Sequence, residues 1–433
     1  MSPVVSETGE DHWPKEPDGN PWAGEDLPAL MAADKDPFEK TLDVRALVAE
    51  VEKAVGQSVQ NIPLVTCGAH NYGFQVRLEK GPDLVIRVSR SNANGVNPRG
   101  RALALSQCPD YTFELAVYDA LHPLGLPFDC RPVYHRLAKP TKLQPVSRPT
   151  HVSGRHVIVF KKAKGHRYDY PRWRPLNSWW KHTILASSAA AAASLFMYNP
   201  PSPFCRRWLV SRVLGDEPQV YELIVEPTRD FCFALVAARI YNTFVYLQKK
   251  LSGQPELRFA YPLSTVENCL LQLLPIFMPK VGSEEDERKL YRLVLDHGDF
   301  GMHNMTIVRD HQLCRTEITS VYDWEAATIV PAVLSEPRMV VTVDLVLDAD
   351  GNPSISRWGD GDRPGRLKEY KIWTKYYFQK LFSAAPEYES VIKSALEIRR
   401  IWFALRDCRE GDAVRQFNRL GTWAIREALR RGG

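Results

Sequence analysis

Short apolar runs separated by turn residues predict a small β-sheet in the first part of the chain. Apolar positions at helical spacing over about residues 41–55 predict a helix before it. Three β-rich runs follow at 62–66, 73–78 and 83–88, and the turn residues between them favour an antiparallel meander. This region is therefore expected to form an antiparallel sheet with an accompanying helix.

One more helix and two more strands complete the expected sheet region. The segment YTFELAVYDALHPLG, which begins at Tyr111, has an apolar face at helical spacing. Residues 128–134 and 156–160 are rich in β-forming residues. Polar stretches at 89–110 and 136–150 are longer than ordinary connections, so they are expected to be surface loops.

The second part of the chain is mostly helical in pattern. Strong helix formers occupy residues 186–197 and 231–249. Apolar positions at helical spacing recur at 367–382, 388–405 and 414–429, which predicts three amphipathic helices at the end of the chain.

Three strand-like apolar runs, at 293–295, 305–308 and 318–322, interrupt this helical part. The first two flank the polar turn 297–304, and the third ends directly in Asp323. Acidic and amide side chains are therefore expected at the ends of strands.

These patterns predict an α+β protein with a small antiparallel β lobe, residues 36–163, and a larger helical lobe, residues 164–433. Residues 1–35 are rich in Pro, Asp, Glu and Gly and poor in branched aliphatics, a composition that predicts disorder. Trp13 and Trp22 are the exceptions, and docking of these two side chains on the folded body is left open.

Composition favours an ordinary cytoplasmic protein. Hydrophobic residues make up 44% of the 433-residue chain, charged residues make up 25%, and the formal charge is +5. No dense Lys/Arg block suggests a nucleic-acid or membrane partner. The eight cysteines include no CxxC pair, and the N-terminus does not resemble a signal peptide. The longest apolar stretch, 184–197, is shorter than the roughly 20 residues that span a bilayer.

The polar residues that follow these strand-like runs suggest phosphoryl transfer. In that chemistry a carboxylate meets the acceptor hydroxyl, while an amide and a second carboxylate hold magnesium ions that bridge the phosphates. Asp299, Asn304 and Asp323 supply such a set. The spacing from Asp299 to Asn304 matches the HxDxxxxN catalytic loop of protein kinases.

The sequence HGDxxxxN followed by YDWE resembles the aminoglycoside phosphotransferase and choline kinase-like superfamily, in a fungal phosphotransferase-like branch. The resemblance covers about residues 60–345 and implies a bilobal protein kinase-like fold, with ATP and Mg²⁺ as cofactors and a small-molecule hydroxyl as acceptor. It implies that Asp299 is the catalytic base or orients the acceptor, and that His297 supports the loop. Asn304 and Asp323 would be the metal ligands, in the segments 297–304 and 323–325.

The same resemblance assigns nucleotide contacts to the first lobe. Arg87 stands where kinases carry a phosphate-contacting lysine, and Glu114 would orient it. The turn between the first two strands would approach the phosphates, and the lobe hinge would offer backbone groups to the adenine. The remaining nucleotide-binding candidates are Gly68, Asn71, Gly73, Phe160 and Ala163.

Several alternatives stay open at this stage. Arg87 and Glu114 also fit a purely structural salt bridge, and the two glycines also fit an ordinary hairpin. The tripeptide DFG at 299–301 precedes Asn304, so it is not the metal-binding segment of a kinase. The absence of Lys in the third strand and the presence of His303 before Asn304 also fit an inactive pseudokinase that only binds nucleotide.

Overall fold

The computed structural model describes residues 13–15, 20–68, 70–90, 104–126, 128, 131–138, 151–215, 223–253, 258–356, 364–409 and 412–432. The chain forms two compact units, Met1–Lys164 and Gly165–Gly433, called here the N-terminal and C-terminal units.

In the N-terminal unit two helices precede three strands, a third helix and two further strands, whereas helices predominate in the C-terminal unit. The helices are α1 (Leu27–Ala32), α2 (Val44–Val55), α3 (Ala104–Leu121), α4 (Tyr170–Trp173), α5 (Ser178–Met197), α6 (Ser202–Leu214), α7 (Arg229–Gly253), α8 (Leu263–Phe277), α9 (Glu284–Tyr291), α10 (Pro364–Ala384), α11 (Pro386–Ser394), α12 (Leu396–Asp407) and α13 (Ala413–Gly432). The strands are β1 (Val59–Cys67), β2 (Asn71–Leu78), β3 (Leu84–Ser89), β4 (Tyr134–Arg136), β5 (Val157–Lys161), β6 (Leu293–Asp296), β7 (Met305–Asp310), β8 (Arg315–Val321), β9 (Thr328–Pro331), β10 (Met339–Val340), β11 (Asp344–Leu347) and β12 (Pro353–Ser356).

The N-terminal unit is built on a five-stranded antiparallel sheet of order β1-β2-β3-β5-β4. Apolar side chains alternate along its strands, so one face of β2 buries Tyr72, Phe74 and Val76. Helix α2 adds Leu47 and Val51 to the same core. The predicted meander and the predicted α+β class, with a small antiparallel sheet and a larger helical unit, are confirmed.

The expectation of disorder over residues 1–35 is wrong for residues 20–35. Trp22 is buried, its ring stacks on Trp13 with 5.5 Å between centroids, and Phe38 meets it edge-on at 5.9 Å. The backbone N–H of Val65 in β1 donates to the Gly24 carbonyl at 2.7 Å. Average composition hides these two tryptophans, whose large apolar area offsets the entropy lost on ordering. Residues 1–12 and 16–19 lie outside the described residues.

Three predicted boundaries also differ from the structure. Helix α3 begins at Ala104, inside the predicted loop 89–110. Strand β4 is confined to Tyr134–Arg136, just after Pro132, which has no N–H for a sheet ladder. The predicted helix 388–405 divides into α11 and α12 at Ala395, where the sequence carries neither Gly nor Pro. Most of the predicted loop 136–150 lies outside the described residues.

The C-terminal unit contains two antiparallel strand pairs, β6 with β9 and β7 with β8, and the three-stranded sheet β10-β11-β12. Helix α5 packs against β8 and α10. Helix α7 is longer than the predicted helical stretch 231–249. It is long and apolar enough to cross a membrane, although half of its most apolar window is buried inside the protein. It packs against α8 and α12, as a core helix does.

Trp22→Ala is expected to lower the free energy of unfolding of the N-terminal unit by about 3–5 kcal/mol, because it removes a buried ring from an aromatic cluster. Urea unfolding measures this change. The control is Leu124→Ala in the same unit, where 43% of the residue is exposed and the expected change is at most about 1 kcal/mol. Similar losses in the two variants would contradict a docked Trp22.

Candidate functional site

The polar turn 297–304 joins β6 to β7 and depends on the glycine at its second position. Gly298 has a φ of +75°, and a Cβ atom at this position would lie 2.1 Å from the Ala326 carbonyl oxygen. Any other residue would therefore clash with the segment that follows Asp323. The turn closes with a short 3₁₀ helix, Met302–Asn304, which leads into β7.

Asp299 is the half-exposed carboxylate of this turn, and two side chains hold it. His303 Nε2 donates to Asp299 Oδ2 at 2.9 Å. The Asn304 amide Nδ2 donates to the Asp299 backbone carbonyl at 3.1 Å and to Oδ2 at 3.2 Å. The hydrogen bond from His303 is the main reason why the pKa of Asp299 falls to about 2. Asp299 is therefore ionised at any ordinary pH.

His297 is buried and contacts the end of β8. Its Nε2 donates to the Tyr322 carbonyl at 3.1 Å, and its ring lies 4.4 Å from that of Trp324. Burial lowers the pKa of His297 to about 4, so the ring is neutral. Within the described residues its Nδ1 has no hydrogen-bond partner. The position of His297 suits a residue that links the turn to β8, rather than one that meets a ligand.

The end of β8 brings Asp323 to the same turn. The Tyr322 N–H donates to the Asn304 carbonyl at 3.1 Å, and the Tyr322 hydroxyl donates to the His303 carbonyl at 2.9 Å. Asp323 follows with a φ of 68°, a left-handed conformation that Asp adopts more readily than most residues. The backbone therefore fixes Asp299, Asn304 and Asp323 in one part of the C-terminal unit.

Asn304 and Asp323 offer oxygen atoms of the kind that Mg²⁺ prefers. Because Nδ2 of Asn304 is engaged with Asp299, its Oδ1 is the atom left for a cation, and within the described chain Oδ1 accepts no hydrogen bond. Among the same residues, no group of three or more His, Cys, Asp or Glu side chains could hold a metal. One carboxylate and one amide nevertheless suit Mg²⁺, which usually binds few protein ligands together with phosphates and water.

Sequence patterns missed the residues that hold this turn and the segment after Asp323 in place. Asp296, the last residue of β6, accepts the N–H groups of Gly298 at 3.2 Å and Glu336 at 2.8 Å. Arg338 Nη2 donates to the Gly298 carbonyl at 2.6 Å. Arg212 from α6 donates to the carbonyls of Ala327, at 3.0 Å, and Glu325. A polar residue at the end of the LVLD strand was the only sequence signal for this group.

In the N-terminal unit, Arg87 and Glu114 form the expected pair. Arg87 Nη1 lies 2.7 Å from Glu114 Oε1, and the Tyr118 hydroxyl donates to the same oxygen at 3.2 Å. The Glu114 side chain is fully buried, whereas 14% of the Arg87 side chain is exposed. The second Glu114 oxygen, Oε2, is buried and has no hydrogen-bond partner among the described residues.

Asn71 extends this pair toward the β1–β2 turn. With its amide turned so that every group is satisfied, its oxygen accepts from Arg87 Nε at 3.0 Å and Nη2 at 3.2 Å. Its nitrogen then donates to the Tyr111 hydroxyl at 2.8 Å. Tyr111, whose ring centre lies 5.7 Å from the Arg87 guanidinium, was not among the sequence candidates.

The other predicted nucleotide contacts lie on the same sheet. The Gly68 N–H donates to the Asn71 carbonyl at 2.8 Å across the β1–β2 turn. Gly73 faces Arg87 in the strand register, and a Cβ atom there would lie 2.7 Å from Thr66 Oγ1. Phe160 is in β5, with its ring 5.4 Å from that of Tyr118, and Ala163 follows the same strand.

No protein-family model matches the sequence, and no curated protein matches it significantly. Several solved structures are similar. A streptomycin–ATP–APH(2″)-IIa ternary complex has 14% identity and a TM-score of 0.44, over 87% of this chain and 96% of that one. A putative aminoglycoside phosphotransferase from Ralstonia eutropha JMP134 has 16% identity and a TM-score of 0.43, over 90% and 98%. Macrolide 2′-phosphotransferase MphH from Brachybacterium faecium has 12% identity and a TM-score of 0.41, over 88% and 96%. Similarity at this level does not define a function.

His303→Ala is expected to raise the pKa of Asp299 from about 2 toward the ordinary value near 3.9, because the main hydrogen bond to the carboxylate is lost. An NMR pH titration with ¹³C-labelled Asp carboxyl groups, assigned with Asp299→Asn, measures the change. Asp299 contributes stability above about pH 4, and this contribution is lost as the pH falls toward 2; in the variant it is largely absent.

The matched control for that titration is His311→Ala. His311 is exposed in the β7–β8 turn, and its ring contacts Trp180. It should leave the Asp299 titration unchanged. An Asp299 pKa that stays near 2 in His303→Ala would show that His303 does not control this carboxylate.

Proposed function

We propose that the chain is an ATP- and Mg²⁺-dependent phosphotransferase that transfers the γ-phosphate to a hydroxyl group of a small molecule. The observation that carries the proposal is the arrangement of the turn 297–304. Its carboxylate, Asp299, is held by the amide of Asn304, and the backbone bond from Tyr322 to Asn304 places Asp323 at the same turn. This set suits a reaction in which positioning and charge neutralisation supply most of the catalysis.

In this proposal Asp299 orients the acceptor hydroxyl. A carboxylate with a pKa of about 2 is a weak base, so it accepts the proton late, after the bond to phosphorus has begun to form. A loose transition state demands little deprotonation beforehand. Because His303 and Asn304 both bond Oδ2, the other oxygen, Oδ1, is the one left to meet the acceptor hydroxyl.

Asn304, through Oδ1, and the carboxylate of Asp323 would hold the magnesium. When bound, the metal would neutralise charge on the phosphate oxygens. His297 takes no part in the chemistry; it keeps the turn against β8 by its bond to the Tyr322 carbonyl. Gly298 lets the two segments approach closely enough for this contact.

In the N-terminal unit, Arg87 would bind phosphate oxygens while Glu114 keeps its guanidinium oriented and charged. Burying the Glu114 carboxylate with one oxygen unpaired lowers the stability of the fold. A protein retains such a cost where function needs the pair, which favours a functional role for Arg87 and Glu114 over a purely structural one. Gly68, Asn71 and Gly73 would bring backbone groups to the phosphates.

The contacts to the adenine of ATP and the location of the protein complete the proposal. Backbone groups from Phe160 to Ala163 would meet the adenine. The formal charge of only +5 and the lack of a dense basic block favour an enzyme that acts without a nucleic-acid or membrane partner. The cytoplasmic location is proposed from the eight cysteines, which include no CxxC pair.

Mg-ATP is expected to raise the thermal midpoint of the wild-type protein. At a ligand concentration of 100 times the dissociation constant, stabilisation should reach about 2.7 kcal/mol. Differential scanning fluorimetry should show that Asp323→Ala, or EDTA with the wild type, removes most of it. Asp350→Ala, which removes an exposed acid from the β11–β12 turn, is the control of equal charge. A wild type that is indifferent to Mg-ATP would rule out the proposal.

Asp299→Asn is expected to keep stabilisation by Mg-ATP and to lose about 10²–10⁴-fold in turnover, since the amide keeps the shape but cannot accept the proton. The assay couples ADP release to a panel of alcohols, amino alcohols and sugars. Equal turnover in the wild type and in Asp299→Asn would exclude Asp299 from the chemistry. Nucleotide binding by the wild type without transfer to any acceptor would favour the pseudokinase alternative instead.

A further inference from the structure

A second candidate binding site lies in the C-terminal unit. A groove of about 460 Å³ is formed by α11, α12, α13 and the turn that joins β11 to β12. Grooves of this size are typical of small-molecule sites. None of the residues of the turn 297–304 lines it, nor does Asp323. Its apolar lining comes from Leu347, Ile392, Leu396, Phe403, Leu420 and Trp423.

Two arginines give this groove a positive rim. The Arg400 guanidinium lies 5.4 Å from the ring centre of Trp423. Its ion pair with Glu397 is long, at 3.7 Å, and both side chains are about one-third exposed. Arg419 is exposed, and within the described residues its side chain makes no hydrogen bond or ion pair. Arg419 is therefore available to an anion, and Arg400 would meet one while keeping its single long ion pair with Glu397.

The acidic residues of the same groove are already engaged. Asp348 Oδ1 accepts the N–H groups of Asp350 at 3.0 Å and Asn352 at 2.8 Å. Asp407 Oδ1 accepts from Arg406 Nε at 3.2 Å. Within the described residues, neither carboxylate forms an ion pair with Arg400 or Arg419.

Helix α13 continues the positive surface beyond the groove. A shallower, adjoining depression of about 650 Å³ shares Arg419 and Trp423 with it, and adds Arg415 and Arg426. Its one acid, Asp412, accepts the Arg415 backbone N–H at 3.1 Å. The two depressions, which share Trp423, are thus lined by Arg400, Arg415, Arg419 and Arg426.

We propose that this groove binds a small organic anion, with an apolar or aromatic body against Phe403 and Trp423 and a carboxylate or phosphate against Arg400 and Arg419. Charge-assisted hydrogen bonds from arginine suit such groups. The apolar lining supplies the affinity that exposed arginines alone do not. This inference does not depend on the proposed phosphotransferase activity.

A fluorescent aromatic anion, 8-anilinonaphthalene-1-sulfonate, tests the site in the full-length, folded protein. We expect one saturable site, whose dissociation constant rises about tenfold in the double variant Arg400→Gln, Arg419→Gln. The control is Arg430→Gln, on the same helix but outside the groove, where Arg430 pairs with Glu427 at 2.7 Å. Its dissociation constant should stay within about twofold of the wild type. Near-UV circular dichroism verifies that each variant is folded.

Competition separates the two parts of the proposed ligand. Phenyl phosphate should displace the probe at least about tenfold better than inorganic phosphate or benzyl alcohol, because only phenyl phosphate has both the ring and the charge. The proposal is overturned if the double variant binds the probe as tightly as Arg430→Gln does. Equal competition by phenyl phosphate and inorganic phosphate would also overturn it, and so would the absence of saturable binding.

Discussion

The geometry of the candidate site depends on the hydrogen bonds that join the turn 297–304 to the end of β8. His297 donates to the Tyr322 carbonyl, and the Tyr322 N–H donates to the Asn304 carbonyl. The two bonds join residues that are 25 and 18 positions apart in the sequence, so neither segment alone can place its side chains. A buried, neutral histidine suits this role because it can donate one fixed hydrogen bond without the cost of a buried charge. The positions of Asp299, Asn304 and Asp323 follow from these two contacts.

Asp296, the residue before the turn 297–304, holds the backbone of the turn in place but lowers the stability of the fold. Burial raises the pKa of the Asp296 carboxyl, and the neighbouring Glu336 adds to the effect. When the pKa of a carboxyl group is higher in the folded state than in the unfolded state, the protein loses stability as the pH rises through the folded-state pKa. Asp296 therefore weakens the fold at neutral pH, while its oxygens accept the Gly298 and Glu336 amides. Such local costs are common where a backbone must be held for function.

The sequence was sufficient for the parts of the site that depend on short-range patterns. HGDxxxxN and YDWE marked Asp299, Asn304 and Asp323 because motif spacing and strand ends are local features. The pairing of Arg87 with Glu114 was also expected, since a charge in an apolar strand requires a partner. Fold class and the β1–β2–β3 meander followed from periodicity. Arg338, Arg212 and Tyr111 could not be found this way, because their contacts join elements that are distant in the chain.

The interaction of His303 with Asp299 shows why a departure from a motif can matter as much as the motif. By sequence, a histidine before Asn304 was only an unusual substitution that left catalytic competence in question. In the structure it becomes the main hydrogen-bond donor to the carboxylate and lowers its pKa to about 2. The lower pKa makes Asp299 a poorer base but keeps it ionised over a wider range of pH. One of its oxygens, Oδ2, already accepts hydrogen bonds from His303 and Asn304. In the proposed phosphotransferase, His303 would therefore favour orientation of an acceptor over proton abstraction, a distinction that motif spacing cannot make.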